Sequence, residues 1–254
     1  MNSFSVDGIV LKRKDIGEAD RLITLFTKQH GKLSASAKGV RKINSRRAGN
    51  LEILNHVKIL LHQTKGLPIV TEAETVADFG QLKKDLKKLS LVYLVFELVD
   101  QFLSEEQENS AIFNLLKDTL EALEKSETQE KAKVFATNFQ FKFLLQVGYL
   151  PQLHNCVRCN QEIQPETNFL APNLGGLVDK GCSREVLLSR SLSVDAIKTL
   201  RFIEKKSILE LYKLSLEKKL LKEVWDSLNF YTTFFLEKDL RTPRFALAVE
   251  KLYE

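Results

Sequence analysis

The sequence predicts an α+β protein with two domains, a five-stranded β-barrel followed by an all-α domain that carries a cysteine-containing insertion. Three observations lead to this prediction. Short runs of alternating apolar and polar residues fill residues 1–79, helical periodicity dominates residues 80–254, and the cysteines cluster within about residues 151–185. We therefore expect a small barrel domain over residues 1–79 and a helical domain over residues 80–254.

Five short strands, separated by turn residues, are expected in the first domain. The runs cover residues 4–13, 21–27, 32–38, a stretch within 51–63, and 67–75. Strands of this length and spacing are typical of a small closed barrel. Periodicity alone leaves an OB-fold and an SH3-like barrel as open alternatives, and the OB-fold is the commonest such barrel that binds nucleic acid.

Basic residues concentrate after the third strand, in a segment rich in Gly, Ser and Asn. Residues 28–50 contain no Asp or Glu, and uncompensated cations on a β scaffold suit a polyanion. The other interpretation is a solvated surface loop. The candidate phosphate contacts are Lys38, Arg41, Lys42, Arg46 and Arg47, with Lys12, Arg13 and Lys14 as a second, weaker group.

The distribution of charge favours the binding interpretation. Residues 1–78 contain 13 Lys and Arg against 8 Asp and Glu, which accounts for the whole net charge of +5. The remaining residues are neutral overall. We therefore expect one basic module joined to a neutral partner module.

The second domain shows helical periodicity over residues 81–126 and 131–147. Phe135, Phe139 and Phe143 recur every four residues and mark one helix face, and Gly148 and Pro151 follow it as helix-ending residues. The stripe could be a base-stacking platform, but core packing is the better interpretation because the region is neutral. Ser193 is expected to cap a helix through Ile203. Further helices are expected over residues 209–216, 220–235 and 245–252.

The cysteines form a zinc-knuckle pattern with one departure. Cys156-x-x-Cys159 is a half-site, and the second half-site contains Asp179-x-x-Cys182. Zinc accepts carboxylate oxygen, so Asp179, or His154 from the other side, would complete a structural site with the three cysteines. The alternative is a remnant knuckle whose cysteines are small buried hydrophobic residues.

Several function classes find no support in the sequence. There is no P-loop, no G-x-G-x-x-G after a strand, and no acidic cluster that would hold Mg²⁺ for a nuclease. No apolar run approaches the ~18 residues of a membrane span. The start of the chain does not resemble a signal peptide, and three cysteines without a disulfide pattern suit a reducing compartment. We expect a cytoplasmic protein that is not an enzyme.

Several short motifs occur together in a recognisable order. The first domain contains Gly8-Ile-Val-Leu, Gly17-Glu-Ala-Asp-Arg21, Gly31-Lys32 and Ala37-Lys-Gly-Val-Arg-Lys42. The second contains Gly148-Tyr-Leu-Pro151, the Cys156-x-x-Cys159 pair and Gly175-Gly-Leu177. From residue 4 to about residue 250 the chain resembles the RecO family of bacterial DNA repair proteins. It departs at Asp179, where zinc-binding members carry a cysteine.

The resemblance implies an N-terminal OB-fold, a C-terminal helical domain with a zinc-type knuckle, and the function of a recombination mediator. Such a protein binds single- and double-stranded DNA and anneals complementary strands coated with single-stranded-DNA-binding protein. It joins RecR to load RecA, and its helical domain docks the acidic, hydrophobic tail of the single-stranded-DNA-binding protein. It would act at the nucleoid in the cytoplasm. The alternatives are an OB-fold RNA-binding protein and a protein-interaction scaffold without annealing activity.

Overall fold

The computed structural model describes residues 3–236. The strands are β1 Ser3–Ile16, β2 Asp20–Thr27, β3 Gly31–Ala37, β4 His56–His62, β5 Ile69–Ala77, β6 Asn168–Ala171, β7 Gly176–Val178 and β8 Arg190–Leu192. The helices are α1 Gly80–Lys84, α2 Leu86–Phe102, α3 Ser110–Lys125, α4 Gln129–Gln146, α5 Val194–Lys205 and α6 Lys218–Leu236. The chain is therefore of the α+β class, as predicted.

The first five strands form a closed barrel in the order β1-β2-β3-β5-β4, and β4 returns to β1. All neighbours are antiparallel except β3 and β5, which meet in parallel at Ser36 and Ile69. This order, with a parallel closing pair, is that of an OB-fold. The strand order thus decides between the two barrel types that periodicity left open.

Alternating residues of the strands fill the barrel. On β3, Leu33, Ala35 and Ala37 are buried and the intervening residues are partly exposed, because successive side chains of a strand point to opposite faces. Val40 and Leu51, which flank the basic segment after β3, belong to the same core. Both ends of that segment are therefore fixed in the barrel interior.

Contacts between residues divide the chain into two compact units. The first contains residues 1–84 and 98–117, and the second contains residues 85–97 and 118–254. Among residues 3–236, no helix is long and apolar enough to cross a membrane. The domain boundary expected near residue 79 remains a prediction.

The phenylalanine stripe of α4 lies in the core of the second unit. Phe135, Phe139 and Phe143 are all fully buried, and the rings of Phe139 and Phe143 stack 5.6 Å apart. Gly148 follows the helix with φ +84, and its N–H and that of Tyr149 donate to the last carbonyls of α4. This is the capping pattern that glycine permits at the end of a helix. Because the three phenylalanine rings are fully buried, core packing is the correct interpretation of the stripe.

The prediction of a helix over residues 209–216 is wrong. The structure has only a single 3₁₀ turn there, Glu210–Lys213. The ammonium of Lys131 on α4 donates to the carbonyls of Leu211, Tyr212 and Leu214 at 3.4, 2.7 and 2.5 Å. The carbonyls accept hydrogen bonds from a side chain that is distant in sequence instead of from a continuing helix. A local sequence pattern could not reveal this contact. The helix expected over residues 245–252 lies outside the described residues.

The predicted cap of α5 is present. Ser193 Oγ accepts from the N–H of Ala196 at 3.2 Å. The carboxylate of Glu223 on α6 accepts from both the N–H and the hydroxyl of Ser193, at 2.7 and 2.8 Å. One residue therefore both starts α5 and ties it to α6.

The cysteine-containing insertion has a small sheet of its own, ordered β7-β6-β8. Gly175 adopts φ +79 and ends a 3₁₀ turn, and a Cβ on Gly176 would overlap the backbone of Gln152. The N–H of Gln152 donates to the carbonyl of Gly175, and the N–H of Leu177 donates to the carbonyl of Gln152, across this close approach. The Gly175-Gly176 pair is thus required by the backbone packing beside the cysteines.

Candidate nucleic-acid interface and metal centre

The basic loop, residues 38–49, is a series of linked turns between β3 and β4. The N–H of Lys42 donates to Gly39, that of Ser45 donates to Lys42, and that of Ala48 donates to Ser45. With Val40 and Leu51 buried at its two ends, the loop has a defined backbone. Its cations are therefore presented at fixed positions.

Asp20, at the start of β2, anchors the first part of the basic loop. Its carboxylate accepts from the ammonium of Lys38 at 2.8 Å and from the N–H of Gly39 at 2.7 Å. These two bonds, that of Lys38 first, hold the pKa of Asp20 below its usual value. Gly39 has φ +64, which brings its N–H to the carboxylate without steric cost.

Arg41 is bound to the turn between β1 and β2. Its N–H donates to the carbonyl of Ala19 at 2.9 Å and its guanidinium donates to the carbonyl of Gly17 at 3.0 Å. The carboxylate of Asp15 lies 3.4 Å from its Nε. The Gly17–Arg21 motif and the Ala37–Lys42 motif are therefore two halves of one contact.

Arg47 has a structural role in the loop. Its guanidinium donates to the carbonyl of Lys38 at 2.8 Å and to the carbonyl of Val70 on β5. These bonds join the two ends of the loop to the neighbouring strand. Two of its five guanidinium N–H donors are used within the protein, so it is a weaker candidate for phosphate contact than its charge suggests.

The expectation that the loop cations are uncompensated is wrong for part of the set. Asp15 and Asp20 lie outside the segment in sequence but reach Arg41 and Lys38. Lys42 and Arg46 are exposed, and the side chain of neither makes a hydrogen bond or an ion pair with any residue between 3 and 236. The free charge of the basic loop therefore lies on these two side chains.

Of the second predicted group of phosphate contacts, two residues form ion pairs and one does not. Lys12 pairs with Asp100 near the end of α2, and Arg13 pairs with Glu52. Lys14 is exposed and has no such partner among the residues that the structure describes. One of the three consecutive cations therefore forms no ion pair within the described residues.

The cations near the start of β3 are covered by acidic residues. The ammonium of Lys32 donates to the carbonyl of Asp100 at 2.6 Å and lies 3.7 Å from its carboxylate. Glu105 accepts from the hydroxyl of Ser34 at 2.9 Å, and the N–H of Glu106 donates to the carbonyl of Lys32 at 2.8 Å. We call this set the covered patch, defined by Lys12, Lys32, Ser34, Asp100 and Glu105.

Glycine permits the approach that forms the covered patch. Gly31 has φ +62, and a Cβ there would overlap the backbone of Gln107. The segment after α2 therefore lies directly against the start of β3. This explains the Gly31-Lys32 motif by packing rather than by ligand binding.

The cysteines and Asp179 form one cluster in the insertion. One ligand atom from each of Cys156, Cys159, Asp179 and Cys182 lies within 4.8 Å of all the others. Two turns bring them together: the N–H of Asn160 donates to Cys156 at 2.9 Å, and the N–H of Ser183 donates to Asp179 at 3.0 Å. Asn160 has φ +60, which an asparagine tolerates.

The electrostatics of the cluster centre on Asp179. Its Oδ2 accepts from the thiol of Cys159 at 3.0 Å and its Oδ1 accepts from the N–H of Cys182 at 2.8 Å. These bonds, that of Cys159 first, lower the pKa of Asp179, whereas its carboxylate raises the pKa of Cys159. Burial and the neighbouring thiols raise the pKa of Cys182 to about 12. Four acidic groups thus lie close together in the insertion.

The donor set fits a structural zinc ion. Zinc prefers tetrahedral sites of thiolate and imidazole and accepts carboxylate oxygen, and four protein ligands leave no open position for catalysis. Bound there, the ion would hold the two turns of the insertion together. His154 is not part of the cluster: its Nε2 lies 3.1 Å from the carboxylate of Glu204. Asp179, rather than His154, is therefore the fourth candidate ligand.

Two family models match consecutive parts of the chain. Residues 1–79 match the family model of the recombination protein O N-terminal domain, and residues 83–244 match that of its C-terminal domain. DNA repair protein RecO of Dehalococcoides mccartyi strain 195 is 32% identical over 238 residues, covering 94% of this chain and 92% of its own. Those of Moorella thermoacetica and Roseiflexus sp. are 32% and 31% identical, over 95% of this chain and 90% and 84% of their own.

The two matches together cover most of the chain and place it in the class of recombination proteins that these models describe. The chain belongs to the RecO family of DNA repair proteins. The resemblance drawn from its short motifs is confirmed.

Proposed function

We propose that this chain is a recombination mediator that binds single- and double-stranded DNA and anneals complementary strands coated with single-stranded-DNA-binding protein. It would help RecR to load RecA, and its helical domain would bind the tail of the single-stranded-DNA-binding protein. We place this activity in the cytoplasm, at the nucleoid. The relatives are named DNA repair proteins, and the finer activities rest on family resemblance and on the basic loop.

The observation that carries the proposal is the pair of free cations on a fixed loop of an OB-like barrel. The side chains of Lys42 and Arg46 make no hydrogen bond or ion pair within residues 3–236. A phosphate can therefore bind them without breaking an ion pair. Cations that replace condensed counterions lower the repulsion between two strands. Phosphate contacts carry no base information, so we expect little sequence preference.

Annealing requires no catalytic chemistry from the chain. Duplex formation is itself favourable, and the protein needs only to bring two strands together and release them paired. We therefore propose a non-enzymatic mediator that acts without nucleotide hydrolysis. RNA binding and a purely protein-binding scaffold are the competing outcomes of the test.

The test is annealing of two complementary oligonucleotides coated with the cognate single-stranded-DNA-binding protein, without ATP, with and without the chain. The loop variant is Lys42→Gln with Arg46→Gln. The matched control is Lys125→Gln with Lys198→Gln, two exposed cations on α3 and α5 that remove the same net charge. We expect the wild type and the control to anneal rapidly and the loop variant to anneal slowly.

Three results would contradict the proposal. Binding of naked DNA without annealing would leave a generic nucleic-acid-binding module. Absence of DNA binding at moderate salt would favour a protein-interaction scaffold. Tighter binding of RNA than of DNA in a parallel titration would indicate readout of 2′-hydroxyl groups and assign the barrel to RNA.

A further inference from the structure

The tip of the basic loop carries an aliphatic side chain that no other residue covers. Ile43 is 103% exposed. It lies with Asn44 at the centre of the turn that the N–H of Ser45 closes on the carbonyl of Lys42, at 2.9 Å. The side chain therefore projects from the outermost point of a hydrogen-bonded turn.

Exposure alone would not distinguish this residue, because single apolar side chains are common on protein surfaces. Its position is what sets it apart. The centre of an exposed turn is normally occupied by Gly, Asn, Asp, Ser or Pro, and an isoleucine there contributes nothing to the barrel core. Its apolar surface is stabilised only when a ligand covers it.

The neighbours of Ile43 indicate what that ligand carries. Lys42 precedes it and Arg46 follows three residues later, and both are exposed without partners in the described part of the chain. The base of the loop is held by Asp20, Arg41 and Arg47. The tip therefore presents an apolar group between two cations on a rigid support.

We propose that Ile43 is a base-contacting residue: it packs against the bases of a single DNA strand while Lys42 and Arg46 bind its phosphates. A single strand offers phosphates that alternate with exposed base faces. A duplex hides those faces in the stack, and insertion there requires unstacking. This inference rests on the proposed function, since it assumes that the loop binds DNA.

The contact has a consequence for annealing. A base that touches Ile43 is splayed from its neighbours and keeps its pairing edge accessible. When the complementary strand pairs with that base, stacking in the duplex removes its face from Ile43. The apolar contact is therefore lost on pairing, which favours release of duplex over retention of single strand.

The experiment compares two oligonucleotides of equal length, one with normal bases and one fully abasic. Their phosphates are the same, so only base contacts differ. The variants are Ile43→Ser, which removes the apolar group but suits a turn, and Ile43→Leu, which keeps it. The matched control is Leu187→Ser, because Leu187 is an equally exposed aliphatic residue in the insertion, at 106%. Fluorescence anisotropy gives Kd over a series of salt concentrations.

We expect the wild type, Ile43→Leu and Leu187→Ser to bind the normal oligonucleotide more tightly than the abasic one. Ile43→Ser should lose about fivefold in affinity for normal single strands, as expected for partial burial of an aliphatic side chain. Its affinity for the abasic strand and its salt slope should not change. Thermal melting of each variant checks that the fold is intact.

The outcomes separate this inference from the proposed function. An unchanged preference for bases in Ile43→Ser would overturn the inference and leave loop binding intact. Equal weakening on both oligonucleotides would show that Ile43 acts through the loop backbone, and would also overturn it. Failure of every form of the protein to bind either oligonucleotide would instead overturn the proposed function.

Discussion

The cations of the barrel occupy two kinds of surroundings. In the basic loop, the side chains of Lys42 and Arg46 form no ion pair within the described residues. In the covered patch, Lys12 and Lys32 both lie against Asp100, and Glu105 takes the neighbouring hydroxyl of Ser34. Charge of the same sign on the same barrel is thus available to a polyanion in one place and already neutralised in the other.

The difference shows that a count of Lys and Arg overstates a binding surface. A phosphate that approaches Lys12 must displace a carboxylate, whereas one that approaches Lys42 displaces only water and counterions. The outer face of β3, which belongs to the strands that bind oligonucleotides in many OB-folds, is partly closed by acidic groups here. DNA is therefore expected to follow the loop rather than the start of β3.

The largest expected effect tests this comparison directly. One variant carries Lys42→Gln and Arg46→Gln, and its matched partner carries Lys12→Gln and Arg13→Gln. Both remove two positive charges from the barrel. The loop variant should lose about 1.4 from the salt slope on single strands, at about 0.7 per phosphate contact, and on the order of tenfold in affinity at physiological salt. The paired-cation variant should change much less. The measurement is Kd over a salt series.

Equal losses in the two variants would remove the distinction between free and paired cations. Exposed ion pairs contribute only about 0–1 kcal/mol, so a phosphate could then exchange for Asp100 or Glu52 at little cost. In that case the whole basic set of the barrel, rather than the loop tip, would be the interface.

A smaller effect is expected when the covered patch is opened. Asp100→Asn removes the carboxylate charge beside Lys12 and Lys32 but keeps an oxygen that can accept a hydrogen bond. The salt slope should rise by about 0.7 and the affinity severalfold if Lys12 becomes available to phosphate. The control is Asp195→Asn on α5, an exposed carboxylate that lies 3.9 Å from the ammonium of Lys198. An equal increase in the control would attribute the gain to net charge rather than to the release of Lys12.

The sequence predicted the barrel well because its information is local. Leu33, Ala35 and Ala37 alternate as a half-buried strand must, and all three are buried. The parallel pairing of β3 with β5, which identifies the OB-fold, was not predictable because it joins segments distant in sequence. The expected helix over residues 209–216 failed for the same reason, since Lys131 binds its carbonyls from α4.

Composition predicted the candidate interface, but contacts between residues distant in sequence decide which of its cations form ion pairs. Residues 28–50 lack Asp and Glu, yet Asp15 and Asp20 reach the loop from the first hairpin. The Gly17–Arg21 motif was the available signal for this contact, because it contains Asp20. No local pattern indicated that Arg47 would be used to close the loop or that Asp100 would cover Lys12.

The smallest expected effect on DNA binding comes from changes to the metal centre. If altering this centre leaves DNA binding unchanged, the DNA interface is confined to the barrel. Asp179→Asn removes the fourth anionic ligand but keeps an oxygen for the N–H of Cys182, and Asp179→Cys supplies a fourth thiolate. Zinc affinity, measured by competition with a chromophoric chelator, should fall in the first, because a neutral amide replaces the carboxylate, and rise in the second, because zinc prefers thiolate. The salt slope for single strands should stay the same in both. If the slope instead falls with loss of zinc, then the insertion itself contacts phosphates, and the basic loop is only part of a longer path for DNA.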